Sequence, residues 1–170
     1  MNALTDADYV DVKLTAAEVL LASHVGCMRS VQSLKKATDR VEPEPRKYWQ
    51  SNIIGAIGEC VIAKYFNIYW SGAVGDWRAK DVGDFEVKTN EQIYKKNVLM
   101  VKKGNSPDRK YFLVAGNAFN YRIFGWVDGY DIMSEARWGD PFNNTLSCYH
   151  MDATELNAIR DFNLNSGQAD

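Results

Sequence analysis

Histidine and cysteine are scarce in this chain, and their scarcity removes several chemistries at once. The three cysteines, Cys27, Cys60 and Cys148, stand far apart in the sequence, with only two histidines, His24 and His150, beside them. No structural-zinc spacing occurs, and an odd set of distant thiols makes no disulfide framework. No initial apolar run has signal-peptide character and no apolar stretch reaches about 18 residues, so an intracellular, cytoplasmic location without a membrane span is expected. The Gly-x-x-x-x-Gly-Lys-Ser/Thr pattern is missing as well. Gly72, Gly75 and Gly83 do not form a phosphate loop, so nucleoside triphosphate hydrolysis by this chain alone is not expected. Strong positive charge is also lacking: the formal net charge of -2 does not suit a protein that coats nucleic acid by charge alone. It leaves room for an enzyme whose own acids bind a metal ion.

What is present is the composition of a folded domain. The 170 residues are 46% hydrophobic, 25% charged and 12% aromatic, enough for one core and too few for two full domains. Residues 1–170 therefore read as a single domain, with 163–170 a polar, frayed tail. Thr15-Ala16-Ala17-Glu18 reads as a capping box that opens a helix from about Ala16 to Leu34, with Val19, Leu20, Leu21 and Val25 apolar and Gly26 weakening its middle. The proline-containing segment Asp39 to Pro45 breaks the chain before a second helix from about Arg46 to Phe66. At about 100° per residue, Ile54, Ile57, Val61, Ile62, Tyr65 and Phe66 form one arc of that helix, with Gly55 and Gly58 allowing a neighbour close. Glu59 falls at the margin of the arc, where a carboxylate can reach over the edge of a sheet.

From Trp77 to Asn90 the pattern changes to β. A two-residue turn at Gly83-Asp84 would set Val82 against Phe85 and Asp81 against Glu86 across a hairpin, close enough for the two acids to share a metal ion. Lys88 shares a face with Glu86, and Asp84 has the same parity, while Phe85 and Val87 turn toward a core. Val98–Val101, Tyr111–Ala115 and Tyr121–Val127 read as further strands, the last two joined through 116–120. Asp152 with Glu155 forms a second potential capping box, which predicts a last helix to about Phe162. The order argues for an α/β or α+β fold with a central mixed β-sheet flanked by helices.

Two carboxylates, a lysine and a helix glutamate suit the hydrolysis of a phosphodiester. Asp81 and Glu86 would hold Mg²⁺, with Mn²⁺ able to substitute and the carbonyl of Val87 as a third oxygen ligand. Glu59 would bind the same ion through water or fix its hydration from the helix side. Lys88 would orient the attacking water, stabilise developing negative charge or take a proton. The plainer reading is an edge-strand ion pair between Glu86 and Lys88, with Asp81 and Asp84 chosen for turn propensity.

Gly55-Ala56-Ile57-Gly58-Glu59, followed by Asp81 and by Glu86-Val87-Lys88, resembles the PD-(D/E)XK nuclease superfamily, over about Ser51 to Trp126. The resemblance implies a restriction-endonuclease-like core and a metal-dependent deoxyribonuclease. The family's helix glutamate maps onto Glu59, its motif aspartate onto Asp81 and its E-x-K pair onto Glu86 and Lys88; Gln92 matches a glutamine that some members carry after the lysine. Lys80 replaces the usual proline, and Asp84 is the alternative motif aspartate. The small size looks similar to nuclease-like proteins of phages, for which the location would be the host cytoplasm.

The partner expected is DNA, with RNA not separated from it. Between Lys95 and Lys110 lie six basic residues, Lys95, Lys96, Lys102, Lys103, Arg109 and Lys110, against one acid, Asp108. This local net of +5 reads either as a nucleic-acid-facing ridge or as an ordinary solvated flank. Trp70, Trp77 and Trp138 are secondary candidates for lining a groove, whereas Tyr111, Phe112, Phe124 and Trp126 read as packing. A homodimer would suit duplex cleavage and a monomer end processing. The competing function is a noncatalytic nucleic-acid-binding or protein-interaction domain on the same fold.

Overall fold

Thr15 and Glu18 do form a reciprocal cap: the Thr15 amide donates to Glu18 Oε2 at 2.6 Å and the Glu18 amide to Thr15 Oγ1 at 3.3 Å. The helix they open, α1, runs Ala16–Lys36, and α2 runs Pro45–Phe66, starting on the proline whose missing amide costs nothing there. Asn67, in the left-handed region at φ 52°, ends α2, with Ile68 donating back to the Ala63 carbonyl at 3.0 Å, a helix stop of the Schellman kind. The computed structural model describes residues 3–36, 45–74, 81–94, 96–143 and 147–164. The expected break at Asp39–Glu44, the Trp77–Lys80 arm of the hairpin and Lys95 lie outside the described residues.

The strands are β1 (Val10–Lys13), β2 (Phe85–Asn90), β3 (Val98–Val101), β4 (Lys110–Asn117), β5 (Asn120–Asp128), β6 (Trp138–Gly139) and β7 (Cys148–Asp152), with a one-turn helix α3 at Gly129–Ile132. They make a four-stranded mixed sheet in the order β1-β5-β4-β2 and a three-stranded sheet in the order β3-β7-β6. In the larger sheet β2 runs parallel to β4, with Glu86 beside Tyr111 and Lys88 beside Leu113; the other pairs are antiparallel. One core lies between this sheet and α1 and α2, built from residues such as Val61, Ile62, Phe85, Val87, Phe112 and Ile123. A second lies on the opposite face, where Leu99, Tyr111, Leu113, Phe124 and Met151 meet. The protein is thus a mixed α/β fold in which two helices cover one face of the central sheet and the small sheet packs over the other.

Alternation along β2 explains its placement. Phe85, Val87 and Thr89 turn toward α2 while Glu86 and Lys88 turn away. Gly58 lets the helix approach: a β-carbon there would sit 1.9 Å from Thr89 Oγ1, a buried oxygen with no hydrogen-bond partner among the described residues. Gly55, by contrast, has open space around it, so of the two glycines expected to admit a neighbour only Gly58 does.

Gly26 lies buried where α1 meets α2, and a β-carbon on it would fall 2.4 Å from Ile53 Cα. The site is further tied by Asn52 Nδ2 donating to Ser30 Oγ at 3.0 Å. Alanine at an unconstrained helix position would be worth about 1 kcal/mol more than glycine. Gly26→Ala is nevertheless expected to destabilise the protein by about 2–3 kcal/mol, because backbone atoms cannot yield as a side-chain tip can. A urea midpoint equal to or above that of the wild type would rule out this account of the crossing.

Several sequence expectations change here. No last helix forms from Asp152: Ala153–Glu155 and Ile159–Asp161 are separate 3-10 turns. The Asp152/Glu155 cap is present, but a three-residue turn satisfies it, and Asn157 then pairs through its backbone with Trp126. Burial of Leu156, Ala158 and Ile159 holds this extended path. Phe162 completes an aromatic cluster with Phe66, Phe85, Phe112 and Trp126, at centroid separations of 5.1–5.2 Å. On α1, the apolar side chains of Leu20 and Leu21 are exposed. Strands β1, β6 and β7 and helix α3 were not anticipated from the sequence. Among the described residues no helix is long and apolar enough to cross a membrane.

Candidate active site

The turn at Gly83-Asp84 forms, with Gly83 at φ 54°, Val82 bridging Phe85, and the Phe85 amide donating to the Val82 carbonyl at 2.9 Å. Beyond Val82 the pairing departs from the simple hairpin. The amides of both Asp81 and Val82 reach the Phe85 carbonyl, at 3.2 and 3.4 Å. The Asp81 carboxylate does not simply stand across from Glu86 but lies along the edge of β2, where its Oδ2 accepts the Val87 amide at 2.8 Å. Strand alternation puts the Val87 carbonyl on that same edge. Asp84 sits exposed in the turn, so the half-buried aspartate beside the strand is Asp81.

Glu59 approaches from the helix layer. Its side chain is almost fully buried and is held by Arg29, with Nη2 donating to Oε2 at 2.9 Å and Nη1 donating to Oε1. Trp70 Nε1 donates to Oε2 at 2.9 Å. Glu86 points to the other face of the sheet, where Arg109 Nη1 bonds Oε1 and Lys88 Nζ lies 3.5 Å from Oε2. Lys88 also lies over the Tyr111 ring, 5.6 Å from its centroid, which fixes the amine beside the strand.

Asp81 stands between these two acids and responds to both. Burial pushes its pKa up to about 7, and the charges of Glu59 and Glu86 push in the same direction against the Val87 amide and Lys88. No ion pair forms on Asp81 among the described residues, in contrast to Glu59 and Glu86, so the uncompensated negative charge of the cluster concentrates there. Burial and the nearby Glu86 charge likewise push the Tyr111 hydroxyl up to about 12, so it remains a proton-bearing neighbour at neutral pH.

A hard divalent cation prefers oxygen donors; Asp81 and the Val87 carbonyl offer them on the edge of β2, while the Glu86 carboxylate lies on the sheet face with Arg109 and Lys88. The charge deficit at Asp81 favours a cation there. Glu59, bound on the other face by Arg29, fits a place beyond direct ligands. The two guanidiniums limit this fit, since each already neutralises one acid, and among the described residues no group of three His, Cys, Asp or Glu side chains gathers tightly enough to hold an ion.

Gln92 is exposed beyond the end of β2. The expected basic ridge divides. Lys96 pairs with Asp152 at 3.3 Å, Lys110 with Asp128 at 2.6 Å and Arg109 with Glu86. Lys102 and Lys103 stay exposed and line a cavity of about 780 Å³ together with Lys88 and residues 87–91. Trp70 is engaged with Glu59, whereas Trp138 lies in β6 and borders the same cavity. His24 is exposed on α1, and His150 lies half-buried in β7.

Arg29 is the site residue that sequence reasoning missed, although a signal existed. Ala22, Val25, Gly26, Arg29 and Ser30 recur at helical spacing on the stripe of α1 that meets α2, and an arginine on a buried stripe requires a carboxylate partner. Arg109, expected among the nucleic-acid contacts, pairs with Glu86.

No family model, no curated protein and no solved structure matches this chain.

Proposed function

We propose that this protein is a metal-dependent deoxyribonuclease that hydrolyses DNA phosphodiester bonds at the edge of β2. One observation carries the reading: half-buried Asp81 accepts the Val87 amide on the edge of β2, within electrostatic reach of Glu59, Glu86 and Lys88, and Lys88 borders the cavity. Structural ion pairs alone give no reason to bury a third acid whose charge they leave uncompensated. Asp81, Glu86 and the Val87 carbonyl would hold Mg²⁺ or Mn²⁺. When bound, such an ion acidifies a coordinated water and neutralises charge on the scissile phosphate.

The chain's own residues do the rest. Lys88, anchored between Glu86 and Tyr111, orients the water and the phosphate oxygen it meets. Arg29 and Trp70 hold Glu59 in one orientation, so that it contributes a fixed field from the helix side. Arg109 keeps Glu86 oriented on the strand and supplies a cation at the sheet face for a phosphate approaching from there.

The alternative, a noncatalytic nucleic-acid-binding domain, takes support from the two arginines that already neutralise Glu59 and Glu86. Cleavage of end-labelled single-stranded, duplex, nicked and branched DNA, with matched RNAs, separates the two. Wild type is expected to cut in Mg²⁺ or Mn²⁺ and to stop in chelator, and Glu86→Ala to be inactive while folded. Binding without metal-stimulated cleavage of any substrate would favour the alternative.

A further inference from the structure

Among the described residues β2 is the edge of the main sheet, and its far half, from Val87 to Asn90, forms one wall of the cavity of about 780 Å³. Helix α2 provides a second wall through Ser51, Ile54 and Gly55, and the small sheet a third. Three of its lining residues are lysines, Lys88, Lys102 and Lys103, and three are large apolar side chains exposed to solvent: Met100 at 39%, Trp138 at 42% and Phe142 at 50%. The charge is available. Lys96, Arg109 and Lys110, the other described cations of the same basic stretch, are each paired with an acid, while no ion pair forms on Lys102 or Lys103 among the described residues.

The aromatic side chains are also prepared. Tyr149 meets the Trp138 ring edge-on at a centroid separation of 4.9 Å, which steadies the indole while a large part of it stays in water. Exposed aromatics beside lysines that carry no ion pair among the described residues, in a groove continuous with Lys88, match an extended polyanion that carries flat apolar groups. Duplex DNA offers charge but keeps its base faces stacked inside the helix. A single strand offers both phosphates for the lysines and free base faces for the rings.

We infer that the groove between β2 and the small sheet binds single-stranded DNA, with bases stacked on Trp138 and Phe142 and phosphates on Lys102 and Lys103, leading the strand to Lys88. This rests on the nuclease reading for its assignment to DNA and for the direction in which the strand leads; the groove's preference for an unpaired strand rests on its own lining.

The test is fluorescence anisotropy with a labelled oligo-dT, a blunt duplex of the same length and an oligo-U, in chelator so that nothing is cut. Wild type is expected to bind oligo-dT at least about tenfold more tightly than duplex. Stacking on an aromatic contributes about 1–3 kcal/mol per base, so Trp138→Ala and Phe142→Ala should each weaken oligo-dT binding about 5- to 150-fold. Removing both Lys102 and Lys103 by alanine should lower the salt slope by about 1.4, about 0.7 for each phosphate contact to a single strand. Phe142 is exposed enough for its variant to report on binding even where Trp138→Ala perturbs β6, and circular dichroism checks both folds. Equal or tighter duplex binding, tighter oligo-U binding, or undiminished oligo-dT binding by folded Phe142→Ala would each overturn the assignment.

Cleavage of the same DNAs by wild type in Mg²⁺ keeps this result separate from the nuclease reading. Ring-dependent binding of oligo-dT without cleavage would uphold the groove and defeat the nuclease. Cleavage with no single-strand preference in binding would uphold the nuclease and defeat the groove.

Discussion

Replacing Lys88 with alanine is expected to lower the single-turnover rate of DNA cleavage by about 10²–10³-fold, or about 3–4 kcal/mol of transition-state stabilisation. The size follows from its position: the amine lies 3.5 Å from Glu86 Oε2 and over Tyr111, beside the acids proposed to hold the ion. Stability should change little. A partly exposed ion pair of this kind contributes at most about 1 kcal/mol, and the strand remains fixed by its ladder to β4. The loss should therefore appear in the rate at saturating DNA rather than in binding, since Lys102 and Lys103 remain in the groove. Lys88→Arg, which keeps the charge but not the compact amine, should recover part of the rate. A folded Lys88→Ala protein that cleaves at more than about a third of the wild-type rate would remove Lys88 from the chemistry.

The second large effect concerns Asp81 and pH. Its folded pKa of about 7 lies above the usual carboxylate value of about 3.9, so between these values the folded chain holds a proton that the unfolded chain has lost. Stability contributed by this group is therefore fully present below about pH 4. It falls as pH rises through the window, and above about pH 7 the whole cost remains. At 1.36 kcal/mol for each unit of pKa, that cost is at most about 4 kcal/mol. Asp8, Asp11, Glu18 and Glu155 are held below their ordinary values by hydrogen bonds and ion pairs, so their contributions change on the acid side of the same range. The difference between wild type and Asp81→Asn isolates the aspartate.

In chelator, Asp81→Asn is expected to be the more stable protein at pH 8 and to lose that advantage toward pH 4. Magnesium at pH 8 should stabilise wild type but not Asp81→Asn, because bound cation gains from the charge that burial penalises. Denaturant midpoints across pH measure both effects. A pH-independent gap between the two proteins would show that Asp81 titrates normally, and equal stabilisation of both by magnesium would place the ion elsewhere.

Much of the local structure was legible in the sequence. Thr15 and Glu18 marked the start of α1 because a capping box closes within four residues. Gly83-Asp84 marked the turn because few residues accept its backbone angles. Phe85, Val87, Glu86 and Lys88 declared their faces through strand alternation, and Glu59 declared its margin through helical spacing. The same local character misled at Asp152 and Glu155. Their cap is real, but it serves three residues as well as ten, and the competing partner, Trp126, lies about thirty residues away in the chain.

What the sequence by itself determined is a set of local instructions: where two helices begin and end, where the turn at Gly83-Asp84 falls, and which side chains of β2 share a face. Tertiary structure alone decided how these instructions combine. The parallel pairing of β2 with β4 brings Arg109 to Glu86, the crossing at Gly26 brings Arg29 to Glu59, and the small sheet closes the groove in which Lys102, Lys103 and Trp138 meet Lys88. These contacts depend on loop closure and burial rather than on neighbouring residues, and burial is what turns Asp81 from an ordinary acid into one that holds its proton near pH 7.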